Sequence, residues 1–182
     1  MPTFEDVTKR LEGLDVRYMV TGSFAMLIYT TGRSTFDVDI IIELSGRDAA
    51  RFTAAFAGDY YVQESSVRRA ISSQAMFNMV SNTTSFKVDC IIRKDTLIER
   101  EKFERRRLAN LEGVEFWAIS KLDLIISKLA WARESLSERQ FQDVRNLLES
   151  GTDESKLASM IAREQLSAIW NAFEEWKIRI AK

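Results

Sequence analysis

The sequence predicts an α/β fold of the α+β kind: a mixed sheet flanked by helices, with a C-terminal helical cap. Three observations predict it. Up to about Trp117, strand-like and helix-like patterns alternate, and from Ser120 onward the pattern is helical throughout. The strand segments are joined by turns as well as by helices, which favours a mixed sheet over a purely parallel one. The 182 residues include only 7 Gly and 1 Pro, so little linker is present. That length suits a core with a small cap, divided into a core over 1–118 and a helical cap over 119–182 packed on it.

Thr3 can cap a first helix that ends near Gly13. Val16 to Thr21 reads as a strand stopped by Gly22-Ser23, and Phe24 to Tyr29 as a short helical stretch. Asp37 to Glu43 alternates clearly and reads as a strand; Arg47 to Phe56 is helical and ends at Gly58. Ala75 to Val80 and Phe86 to Ile92 are two strands around the polar turn Ser81-Asn82-Thr83-Thr84, a hairpin. A second hairpin runs from Arg107 through Gly113 to Trp117. Ser120-Lys121-Leu122-Asp123 has the capping-box form and opens a helix to about Glu134. Ser137 caps the next, which ends at Gly151, and two more span Asp153 to Glu164 and Leu166 to Ile180.

Composition narrows the chemistry. Lys+Arg 26 against Asp+Glu 27 gives a formal charge of -1, with no general pull toward nucleic acid or an anionic membrane. The lone Cys90 excludes an internal disulfide framework and a multi-cysteine zinc site. The chain has no histidine, which removes Ser-His-Asp and Cys-His catalysis and every His-ligated metal site. Carboxylates, hydroxyls, Lys and Arg remain, so hard cations on carboxylate oxygens are the leading metal option. The two common glycine-loop nucleotide motifs are missing. A charged start and no membrane-length apolar run lead to the expectation of a soluble, cytoplasmic protein.

The carboxylates form a pattern. Strand side chains alternate faces, so Phe36, Val38, Ile40 and Ile42 share an apolar face while Asp37 and Asp39 share the other, about 7 Å apart along the strand. In the later strand, Phe86, Val88, Cys90 and Ile92 are apolar and Asp89 faces away from them. If the two strands are neighbours, three carboxylates converge on one sheet face, with Ile41 and Ile91 following, so that only one end of the face is polar. Such a group can hold two magnesium ions and serve an in-line displacement at phosphorus. The plainer alternative is a solvated acidic face. Gly22-Ser23, between a strand and a short helix, offers close backbone approach, free N–H groups and a hydroxyl to phosphate oxygens; the plainer alternative is an ordinary turn.

In this order, Tyr18-Met-Val-Thr-Gly-Ser23, Arg33-Ser-Thr-Phe-Asp37-Val-Asp39 and Lys87-Val-Asp89 resemble the nucleotidyltransferase superfamily of DNA polymerase beta. Ser120-Lys-Leu-Asp-Leu-Ile-Ile-Ser-Lys128-Leu-Ala130 and Arg139-Gln-Phe-Gln-Asp143-Val are similar to the helical part of AbiEii-type bacterial nucleotidyltransferases. The resemblance spans roughly Val16 to Leu148. It implies a nucleotidyltransferase-type sheet and a magnesium-dependent transfer of a nucleoside monophosphate from a nucleoside triphosphate such as ATP to a hydroxyl. It gives Gly22 and Ser23 the β- and γ-phosphates, and Asp37 and Asp39 both magnesium ions. Asp89 takes the catalytic metal and helps deprotonate the acceptor. Lys128 contacts the triphosphate, and Asp143 orients Lys128 or the acceptor. Arg33 touches phosphate or pairs with Asp37. The implied acceptor is RNA or protein, toxin-like, with an antitoxin as partner. The alternatives are a small-molecule (antibiotic) nucleotidyltransferase and a non-catalytic binding module of the same fold.

Other features have ordinary readings beside functional ones. The run Arg93 to Arg107 is either a contact to RNA phosphates through Arg105-Arg106-Arg107 or a solvated helix laced with i,i+4 pairs. Trp170, Phe173 and Trp176 recur at helical spacing and read as core of the cap, and Cys90 reads as inert core.

Overall fold

The structure, a computed structural model, describes residues 3–30, 37–135 and 137–181. It divides into two compact units. The first comprises the described residues of Met1–Ile28 and Arg33–Ile119, the second those of Tyr29–Gly32 and Ser120–Lys182.

The first unit starts with α1 (Phe4–Gly13), capped by Thr3, whose hydroxyl accepts from the Asp6 amide at 3.2 Å. A side-chain cap of this kind contributes about 1 kcal/mol. Then come β1 (Tyr18–Thr21), the one-turn α2 (Gly22–Ala25), a 3₁₀ turn at Met26–Ile28, β2 (Asp37–Ile42), α3 (Ala49–Phe56), β3 (Tyr60–Tyr61) and α4 (Glu64–Ser73). The unit finishes with β4 (Met76–Ser81), β5 (Lys87–Ile92), α5 (Leu97–Glu104), β6 (Arg107–Leu111) and β7 (Val114–Ala118).

Among the described residues the seven strands form one sheet in the order β3-β4-β5-β2-β1-β7-β6. It is mixed, as expected. β2 runs parallel to β5 and β1 parallel to β7, while the other neighbours are antiparallel. Both expected hairpins are present, as β4–β5 and β6–β7. One face of the central strands is dry: Val38, Ile40, Ile42, Val88 and Cys90 are buried, with Phe77 and Met79 from β4. α3 packs there through Phe52, whose ring meets Phe77 edge-on at 5.5 Å.

Two local differences from the sequence pattern have simple causes. The first strand starts at Tyr18 rather than Val16, because the chain leaves α1 through Asp15 at φ 54 and the Val16 amide bonds back to the Leu11 carbonyl. Between Gly58 and Ala75 the pattern assigns no element, yet β3 and α4 lie there. β3 has two residues, too few to show alternation. α4 buries only Val67 and Ala70, and its first residue is preceded by Gln63, which makes no side-chain cap bond.

The second unit has α6 (Lys121–Ser135), α7 (Glu138–Glu149), α8 (Glu154–Arg163) and α9 (Ser167–Ile180). Ser120 caps α6: its hydroxyl accepts from the Asp123 amide at 3.2 Å and donates to the Asp123 carboxylate at 2.5 Å. Asp153 caps α8 through the Lys156 amide. Phe141 from α7 meets Phe173 and Trp176 from α9, each at 5.7 Å between ring centroids, so these aromatics are core.

Candidate active site

The sheet face opposite the dry one is built from three lateral rows. Strand register sets them, because partners on neighbouring strands project to the same side. The first row runs Tyr61, Val80, Lys87, Asp37 across β3, β4, β5 and β2. The second runs Asn78, Asp89, Asp39, Thr21 across β4, β5, β2 and β1. The third is apolar: Met76, Ile91, Ile41, Met19. Asp37, Asp39 and Asp89 therefore do share one face, on adjacent strands in register, and only one end of that face is polar. Exposure rises along the third row, from 0% at Met19 and 8% at Ile41 to 50% at Met76. The face is covered over β1 and β2 and open over β4.

Gly22 begins the turn after β1, beside the second row. Its φ is +65, and a Cβ added to it would lie 1.9 Å from Asp39 Oδ2 and 2.7 Å from Cγ. A side chain there is barred twice, by backbone conformation and by the Asp39 carboxylate. The glycine thus admits the backbone to a carboxylate of the row. Ser23, half-buried, is the second residue of α2.

Two members of the rows that bond Asp89, Lys87 and Asn78, have no role in the sequence pattern. Lys87 lies two residues before Asp89 on the same face, and its ammonium sits 2.9 Å from Oδ1 and 3.0 Å from Oδ2 of Asp89. That bond, with the negative fields of Asp37 and Asp39, holds the Lys87 pKa above its ordinary value against the opposing effect of burial. Asn78 donates its side-chain amide to Asp89 Oδ1. The signal for Lys87 was in the sequence: in a strand, position i–2 always shares the face of position i. Asn78 needed the register of the hairpin.

Carboxylate oxygens are the donors a hard divalent cation takes, and Asp37, Asp39 and Asp89 fit one in kind and in strand placement. Their side chains are not arranged as a ligand cage: among the described residues no group of three metal-ligating side chains is assembled. The negative charge of Asp89 is instead balanced by Lys87.

In the second unit, Lys128 on α6 and Asp143 on α7 form an ion pair at 2.7 Å, each side chain 7% exposed. Packing of α6 on α7 buries Lys128 against its partner. Arg33 lies outside the described residues, as does Phe36. The Arg93 to Arg107 run is laced with local ion pairs, including Arg105–Glu101 at 3.4 Å and Lys102–Glu99 at 2.7 Å. Arg106 pairs with Glu104 at 3.7 Å, and its guanidinium also lies over Phe103 at 4.5 Å and Trp117 at 5.1 Å; desolvation lowers its pKa. Cys90 is fully buried, and burial pushes its thiol pKa up.

No family model matches the chain, and no curated protein matches it. Solved structures do. An antigenic nucleotidyltransferase-like protein from Paracoccidioides brasiliensis is similar at TM-score 0.54 and 15% identity, over 92% of this chain and 90% of that one. ANT(2")-Ia in complex with adenylyl-2"-tobramycin is similar at TM-score 0.54 and 10% identity, over 94% and 95%. The lincosamide antibiotic adenylyltransferase LnuA, lincomycin-bound, is similar at TM-score 0.52 and 13% identity, over 80% and 96%. The chain has the fold of these nucleotidyltransferases.

Proposed function

We propose that the protein is a magnesium-dependent nucleotidyltransferase that moves a nucleoside monophosphate from a nucleoside triphosphate to an acceptor hydroxyl. The observation that carries this reading is the second row: Asp39 and Asp89 are register partners on parallel strands, Asp37 is on the same face, and Gly22 is wedged against Asp39. The shared fold supports it.

In this reading Asp37, Asp39 and Asp89 hold two magnesium ions. What magnesium supplies when bound is charge neutralisation at the attacking and leaving oxygens. Gly22 and Ser23 receive the β- and γ-phosphates at the turn. Asp89, nearest the open side of the face, accepts the hydroxyl proton at a carboxylate oxygen. Lys87 keeps that oxygen oriented until the substrates arrive. Arg33 is a further phosphate contact. The acceptor oxygen bonds to the α-phosphorus and pyrophosphate leaves.

The acceptor has two readings. RNA or protein, with an antitoxin as partner, is the one the AbiEii-like helical motifs imply. A small hydroxyl-bearing molecule is favoured by the similarity to LnuA and ANT(2")-Ia, whose structures hold lincomycin and adenylyl-tobramycin. The test incubates α-labelled triphosphates and magnesium with total RNA, a protein extract, or a panel of small alcohols. Wild type should label one class, and Asp37→Asn with Asp39→Asn should label none. Equal labelling by both proteins overturns the proposal.

A further inference from the structure

A cavity of about 320 Å³ opens beside the carboxylate rows, on the β4 side. Small-molecule sites start at about this size. Strand β3 pairs only with Val80 and Ser81, so the outer side of β4 near Met76 is left to α4 rather than to a strand. The cavity lies there, lined by Tyr61, Arg69, Ser73, Met76, Asn78 and Val80 among others.

Three properties give it a chemistry. Asn78 belongs both to the cavity and to the second row, where it bonds Asp89, so the cavity begins one strand spacing, about 5 Å, from that carboxylate. Its apolar surface is accessible: Tyr61 is 62% exposed and Met76 50%. Tyr61 is held by Gln63, which donates to its hydroxyl at 2.6 Å. The charge of the lining is one-sided. Arg69 is its only ionisable group of either sign besides the Tyr61 phenol. Exposed Arg68, one residue earlier, pairs with Glu64, whereas no ion pair forms at the Arg69 guanidinium among the described residues.

We infer that this cavity is the acceptor subsite, and that it takes a hydroxyl-bearing molecule with a planar or apolar body and one anionic group, not a polycation. This rests on the nucleotidyl-transfer reading. Tyr61, Met76 and Val80 pack the body, Arg69 pairs with the carboxylate or phosphate, and the hydroxyl reaches past Asn78 toward Asp89. In transfer, the hydroxyl oxygen bonds to the α-phosphorus, the bond from that phosphorus to the bridging oxygen breaks, the proton goes to Asp89, and pyrophosphate departs. A polycationic acceptor would meet an arginine and no carboxylate in this cavity.

The test uses three probes of one shape: 4-(hydroxymethyl)benzoate, its neutral benzamide and its cationic benzylamine. Their binding to the full chain is read by ligand-observed NMR, and binding of the magnesium triphosphate is measured in parallel. Wild type should bind the anion about tenfold more tightly than the amine, the scale of one charge-assisted hydrogen bond. Arg69→Glu should reverse that order, and Tyr61→Ala should weaken all three probes alike. Both sites are exposed, and a thermal melt checks that each variant folds. An order that Arg69→Glu leaves unchanged, or a wild-type preference for the amine, overturns the subsite. Failure of wild type to bind triphosphate with magnesium instead overturns the nucleotidyl-transfer reading, and with it the assignment of the cavity to an acceptor.

Discussion

Gly22 and Asp39 are in such close contact that no side chain fits between them: the position a Cβ would take at Gly22 is 1.9 Å from Asp39 Oδ2. The turn after β1 and the carboxylate row therefore form one piece. Gly22→Ala adds strain at φ +65 and overpacking against the carboxylate, together about 2 to 4 kcal/mol. Gly113→Ala, at φ +89 with nothing within 4 Å, adds strain alone, about 1 to 2 kcal/mol. Urea denaturation of the two variants measures the difference.

Asp39→Asn and Asp89→Asn should each abolish label transfer while leaving the fold intact, since neither side chain is part of the apolar core and Asn keeps their volume. The check is labelled-product yield beside far-UV circular dichroism.

Lys87 competes with any divalent cation for Asp89. Lys87→Met removes an ammonium at 2.9 Å and should tighten cation binding about tenfold, the Coulomb effect of one charge at this distance in a water-like medium. Manganese titration by calorimetry reads the change, and weaker binding in Lys87→Met would refute the competition.

The Lys128–Asp143 pair is buried on both sides. Removing one partner strands a charge, so Lys128→Met or Asp143→Leu alone should cost about 3 to 5 kcal/mol. The double variant should be near neutral by comparison, because it removes both charges. A double-mutant cycle in urea measures the coupling.

Cys90 has a thiol pKa raised by burial. The fold favours the neutral thiol, so this stabilisation is complete below the unfolded thiol pKa of about 8.5 and is lost as pH rises beyond it. Urea midpoints should fall between about pH 8 and 10 in wild type and less in Cys90→Ala. Native protein should resist thiol labelling at pH 8 and react once unfolded.

Much of the site was legible residue by residue. The alternation in Asp37 to Ile42 and in Lys87 to Ile92 assigned the acidic and apolar faces before any strand had a neighbour. The caps at Thr3 and Ser120 were readable because capping is a contact between residues three apart, whereas Ser137, also read as a cap, makes no side-chain cap bond. The segment with β3 and α4 was not legible: a two-residue strand has no period, and a helix burying only two side chains has almost no stripe. That segment lines the cavity proposed for the acceptor.

The chain by itself determined which way each side chain of β2 and β5 points, since direction along a strand is a local property with a period of two. Only the tertiary structure decided that Asp39 stands beside Asp89, that Asn78 bonds it from β4, and that Gly22 touches Asp39. Those relations depend on pairing between segments distant in the chain, and such pairing is settled by the burial of the whole sheet rather than by any stretch of it.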